Sequence, residues 1–147
     1  MTERILMPVD DTPASERAID YAAAMLAGST SFHIHLVHVE PVRPGHLATA
    51  DPEFKRARER SGEILGKLRG RLERAGVEPD KIDTGFLAVP PEVALEEAVL
   101  DAARDQQCTT ISIGRNALPW YKEAFHRHPA DALVQHSHGF TLWIVGG

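Results

Sequence analysis

Strand-like and helix-like apolar periodicities alternate along the whole of this 147-residue chain, and that alternation restricts the fold more than any other feature. Ile5 to Val9 is a short apolar run of the length of a buried parallel strand. Behind it, Ala14, Ala18, Ala22 and Met25 recur at helical spacing, and Gly28 supplies a stop. Phe32 to Val39 reads as a second strand. Asp51 to Ala75 is the longest helix, with Phe54, Ala57, Ile64, Leu65, Leu68, Leu72 and Ala75 on one stripe and Gly76 at its end. Ile82 to Val89 is a weaker strand, interrupted by Asp83 and Gly85. Pro91 to Arg104 reads as a helix with Leu95, Ala98, Val99 and Ala102 facing inward, and Thr109 to Ile113 as a strand ending at Gly114. Arg115 to Arg127 reads mostly as loop, Pro129 to His136 as a short helix and Phe140 to Val145 as a final strand. Repeated βαβ units need right-handed crossovers, so the expected fold is a parallel sheet with helices on both faces. No repeat or linker divides the chain, and 1–147 is read as one domain.

The first strand runs into Asp10-Asp11-Thr12-Pro13, two carboxylates followed by a helix-start signal. Asp11 or Thr12 can cap the helix, and Pro13 suits its first turn. Ligands of open α/β sheets bind beyond the carboxyl ends of strands, which makes Asp10 the first candidate for ligand contact. Its other reading is structural, a carboxylate that caps the adjacent helix.

Composition removes several function classes. The formal charge of −5 argues against a general nucleic-acid binder. Cys108 is the single cysteine, so neither an intrachain disulfide nor a cysteine-based zinc cage can form within one chain; before a buried strand it reads as a packing residue. No long apolar run or secretory signal occurs, so no membrane attachment is expected and the cytoplasm is the expected compartment. The pairs His33/His35, His126/His128 and His136/His138 share an i, i+2 spacing, but a closed zinc site needs about four converging ligands, so they are read as scattered histidines with no metal. In the long helix, Lys55, Arg56, Arg58, Arg60, Lys67, Arg69, Arg71 and Arg74 lie off the apolar stripe and read as a solvated outer face; an acidic protein partner is the other reading.

Five segments, in order, resemble the universal stress protein family. Ile5-Leu6-Met7-Pro8-Val9-Asp10-Asp11-Thr12 with Ala18-Ile19-Asp20-Tyr21-Ala22 looks like its opening strand, acidic turn and first helix, and Leu36-Val37-His38-Val39 like its second strand. Pro91 to Ala98, Thr110 to Arg115 and Pro129 to Ser137 are similar to its later helix, fourth strand and last helix. The resemblance implies an open, Rossmann-like five-stranded parallel sheet in the order 3-2-1-4-5, the architecture of the adenine-nucleotide alpha-hydrolase-like proteins. It also implies a dimer, and ATP binding in many members. By the same resemblance Pro8, Val9 and Asp10 would contact adenine and ribose, Val39 would offer backbone groups to the base, and Ile113 and Gly114 would flank the ribose.

The phosphate loop departs from the family pattern of Gly, two residues, Gly, nine residues, then Gly-Ser or Gly-Thr. Gly114 holds the first position, but Ala117 holds the second and Arg127-His128 the closing pair. Each replacement puts a side chain where bare backbone would approach phosphate. Leu118, Pro119, Trp120, Tyr121 and Phe125 in that loop look like packing groups, and Val89-Pro90-Pro91 replaces the family glycine after the third strand. Arg115, Arg127 and His128 remain able to hold an anion by their side chains.

No catalytic machinery is evident. A phosphoryl-accepting receiver domain would need an Asp ending strand three and a Lys ending strand five, and neither is present. The P-loop and Gly-x-Ser-x-Gly patterns are also missing. The expectation is therefore a non-catalytic, degenerate family member in stress response or signalling, with no cofactor, paired through Phe140 to Val145 because an apolar edge strand invites a second copy. The alternative is an ATP- or AMP-binding protein that uses the Asp10 half-site with an atypical phosphate loop.

Overall fold

The computed structural model describes residues 2–42, 50–119 and 129–146. Its elements are β1 (Glu3–Val9), α1 (Pro13–Leu26), β2 (Phe32–Pro41), α2 (Pro52–Arg74), β3 (Ile82–Val89), α3 (Leu95–Asp105), β4 (Thr110–Gly114), α4 (Pro129–His136) and β5 (Thr141–Val145). The strands form one parallel sheet in the order β3-β2-β1-β4-β5, as the resemblance implies. The central strand β1 is buried from Ile5 to Val9, which explains its unbroken apolar run.

One core lies on each face of the sheet. Ile5, Met7 and Val9 of β1 pack with Ala18, Ile19 and Ala22 of α1 and Leu65, Leu68 and Leu72 of α2. On the other face Leu6 packs with Leu95, Val99 and Ala103 of α3, with Ile111 and Ile113 of β4, and with Leu133 of α4. Burying the thirteen of these side chains larger than alanine, each worth roughly 1.5–3 kcal/mol, drives this layering.

Several expectations change in three dimensions. Met25 is 57% exposed, because Ile19 and Ala23 complete the inner face of α1 instead. Ala75 is exposed as the C-cap of α2, and Ser61 joins the buried stripe. The third helix begins at Leu95, four residues after Pro91: the Val93 N–H donates to Pro90 O in a separate turn, and extended Ala94 precedes the helix. Its buried face runs through Leu95, Glu96, Val99, Leu100 and Ala103, so Ala98 and Ala102 are only partly covered. The second strand continues to Pro41 because Glu40 and Pro41 pair with Ala88 and Val89. The basic face of α2 is partly spent within the fold. Arg71 pairs with Glu16 at 2.8 Å and Asp20 at 2.7 Å, and Lys67 pairs with Asp11 at 3.1 Å, tying α2 to α1 and its entry turn.

Both sheet edges are strands, β3 and β5. On β5, Ile144 is 38% exposed, while Trp143 meets Tyr21 of α1 edge to face at 6.1 Å. Among the described residues, no helix is long and apolar enough to cross a membrane.

Candidate functional site

Parallel β1 and β4 end side by side, and the N-terminus of α1 starts where they end. Thr12 has extended backbone, and its Oγ1 accepts the Ser15 N–H at 3.3 Å, so Thr12 and not Asp11 caps α1, with Pro13 in the first turn. Asp11 points outward to Lys67.

Asp10 is 8% exposed, and both its oxygens accept hydrogen bonds from the chain. Oδ1 accepts from Thr12 Oγ1 at 2.6 Å and Ser15 Oγ at 2.8 Å; Oδ2 accepts from the Leu118 N–H at 2.9 Å. The Asp10 N–H in turn donates to Ser15 Oγ at 3.0 Å. One carboxylate thus joins the end of β1, the first turn of α1 and the loop after β4. A carboxylate has about four acceptor positions, so three bonds nearly saturate it. Ser15 and the Leu118 amide are the partners that sequence reasoning missed. Ser15 stands three residues after a Thr cap, a spacing that offered a signal; the Leu118 amide, 108 residues away, offered none.

Gly114 has a packing reason of its own. A Cβ there would lie 2.4 Å from the Ala14 carbonyl oxygen, so β4 can approach α1 this closely only with glycine. The next turn closes with the Ala117 N–H on Gly114 O at 3.1 Å. Leu118 follows at φ +57°, a left-handed conformation costing roughly 1–2 kcal/mol for a non-glycine residue. Its side chain is fully buried in the core that includes Ala14, Val39, Ala117 and Ala130, and its N–H is held by Asp10; together these maintain the strained backbone. The expectation that Leu118 is a packing group agrees with this placement.

The structure gathers Pro8, Val9, Asp10, Val39, Ile113, Gly114 and Arg115 at the carboxyl ends of β1, β2 and β4. The side chains of Pro8, Val9, Val39 and Ile113 are buried, so a ligand would meet these residues chiefly through backbone groups. Arg115 is exposed, and its N–H donates to Val145 O at 2.8 Å. Arg127 and His128, with Trp120, Tyr121 and Phe125, lie outside the described residues.

Other titratable groups have structural partners. His38, 2% exposed beneath α2, bonds through Nδ1 to Ser61 Oγ, and burial pushes its pKa below the ordinary histidine value. His33 Nε2 bonds Asp83 at 2.6 Å, which holds that carboxyl below its usual range. Burial pushes the Cys108 thiol up, as suits a packing residue. Among the described residues no three histidine, cysteine, aspartate or glutamate side chains are grouped to hold a metal ion.

The fold, the Asp10 turn and Gly114 invite comparison with known proteins. A family model described as the universal stress protein family matches residues 1–143. The chain belongs to this family. Among solved structures, a universal stress protein from Burkholderia pseudomallei superposes with a TM-score of 0.70 at 20% identity, covering 97% of this chain and 95% of that one. A universal stress protein in complex with cAMP gives 0.69 at 16% identity, covering 99% and 97%. The universal stress protein from Archaeoglobus fulgidus in complex with dAMP gives 0.61 at 16%, covering 97% of each chain. At these identities the likeness establishes the shared fold. No curated protein matches the sequence.

Proposed function

We propose that this universal stress protein is a non-catalytic, cytoplasmic module of stress response or signalling whose phosphate-binding site is degenerate. The observation that carries this reading is the occupied Asp10 carboxylate, with the buried Leu118 beside it. Its acceptors face Thr12, Ser15 and Leu118, and the Leu118 side chain is fully buried in the core that also holds Val39, Ile113 and Ala130. A triphosphate bound by loop amides would have to compete with that packing. Ala117, 1% exposed beside Leu118, supports the same reading, since opening the loop would expose both.

We further propose that two copies pair through β5. Ile144 and the partly covered Trp143 and Val145 lie on an edge strand that pairs only with β4 among the described residues, and a twofold partner would cover its outer side. Sedimentation at micromolar concentration is expected to show a dimer; a monomer there removes this part of the proposal.

A second reading is favoured by the neighbours named in complex with cAMP and dAMP: an adenosine monophosphate held by backbone groups at Val9 and Val39, its single phosphate near Arg115. Calorimetry with ATP, AMP and cAMP separates the two. No heat with any of them supports the degenerate site, whereas micromolar AMP binding that weakens in Arg115→Ala supports the monophosphate site and overturns the first reading.

A further inference from the structure

We propose that the groove between α3 and the outer edge of β3 docks an extended basic peptide segment, which adds to β3 as a sixth strand. The groove has a volume of about 560 Å³, and none of its lining residues belongs to the Asp10 turn. Topology creates it. The chain crosses from β3 at the edge to β4 beyond the centre, so α3 packs inward over β1 and leaves the same face of β3 and outer β2 partly bare. His35, Val37, Gly85 and Leu87 supply the floor, and Ala98 and Ala102 of α3 the apolar wall. This is why those two alanines, inward by helical periodicity, are only partly covered.

Three observations select an extended peptide over a compact ligand. The lining follows β3 from Thr84 to Ala88 and reaches Pro90 just beyond the strand end, a path of six residue steps that at ~3.3 Å each is about 20 Å. β3 pairs only with β2 among the described residues, so its outer backbone groups are available for main-chain pairing. Its interior contains neither lysine nor proline, residues that commonly discourage such pairing, and Gly85 leaves the floor low.

Charge selects the kind of peptide. Asp101 and Asp105 stand on the α3 wall, both exposed; Asp101 is shared with Arg104 at 3.0 Å, and Asp105 has no salt-bridge partner among the described residues. His35 is the only basic side chain in the lining, but Arg4 closes the same end by donating to Gln106 O at 2.7 Å, and Asp83 lies close to His35. Counted with Arg104 on Asp101, the carboxylates Asp83, Asp101 and Asp105 outnumber the two guanidinium groups, so the groove keeps a small acidic excess. Since α3 runs antiparallel to the strands, Asp101 and Asp105 flank the lower half while Val93 and Pro90 close the upper half. The fitting segment has lysine or arginine in one half and aliphatic residues in the other, at alternate positions that face α3.

Random octapeptides displayed on phage and panned against the whole protein test this. Enrichment of that alternating pattern is expected, and a dye-labelled synthetic copy should bind with at least tenfold loss in the Asp101→Lys/Asp105→Lys double variant. Both positions are exposed, and a thermal melt matching the parent checks that the variant folds. On the unmodified protein, methylating alternate peptide-backbone amides should abolish binding, and the bound peptide should slow amide exchange in β3. No enrichment, equal binding by the N-methylated peptide, undiminished binding to a folded double variant, or protection mapping to β5 would each overturn the proposal.

Discussion

Replacing Asp10 with alanine should unfold this protein more readily than any ligand-contact role would require. The substitution removes the acceptor of the buried Leu118 N–H and of the Thr12 and Ser15 hydroxyls. Leaving one buried donor unsatisfied costs about 1–3 kcal/mol, and each bond to a charged acceptor contributes roughly 1.5–3 kcal/mol. These terms are not additive, because the hydroxyls can rotate toward other acceptors. A net loss of about 3–5 kcal/mol follows, including release of the left-handed Leu118 backbone that the bond helps to hold. For a chain of this length that lowers the melting temperature by on the order of 10 °C. Asp10→Asn should cost only about 1–2 kcal/mol, since its oxygen can still accept from Leu118 while its amide donates to a rotated hydroxyl. Urea titration followed by circular dichroism, without nucleotide, measures both. If Asp10→Ala and Asp10→Asn both fall within about 0.5 kcal/mol of the parent, the carboxylate does not hold the three segments together and the reasoning fails.

Further tests reach other parts of the molecule. Gly66→Ala on α2, where a new Cβ meets nothing within 4 Å, should stabilise the protein by about 0.5–1 kcal/mol through helix propensity; an unchanged or lower melting temperature would contradict the open surroundings. His38 binds protons less readily folded than unfolded, so its contribution to stability is complete above the unfolded pKa near ~6.5 and declines as pH falls through that value toward the lower folded one. Nearby Glu40, Asp10 and Asp11 oppose the burial effect and Arg60 adds to it; denaturation midpoints between pH 7.5 and 5 should fall less steeply in His38→Gln. Cys108 should react with a thiol reagent far more slowly in the folded protein than in urea, and equal rates would mean that it is not enclosed.

How much of the site was legible depended on sequence distance. The strand end at Val9, a cap at Asp11 or Thr12 and the Pro13 start follow from neighbouring residues; the structure keeps the first and last and selects Thr12 as the cap. The glycine at 114 was readable as a motif remnant, but its contact with the Ala14 carbonyl depends on how closely β4 and α1 approach. Asp10 invited two readings, and the chain supplies three donors to it, one of them from the loop after β4. The inner face of α3 was partly misread because helical spacing identifies a stripe without saying how wide the sheet beneath it is.

Local chemistry therefore determined the kinds of elements, their order and the family to which the chain belongs, since periodicity, caps and turn residues act over a few positions. Tertiary structure alone decided which carboxylate oxygens were occupied, that Leu118 took a left-handed backbone, and that α3 left a groove beside β3. Those outcomes depend on distances between residues far apart in the chain, which exist only once the crossovers have brought the strands together.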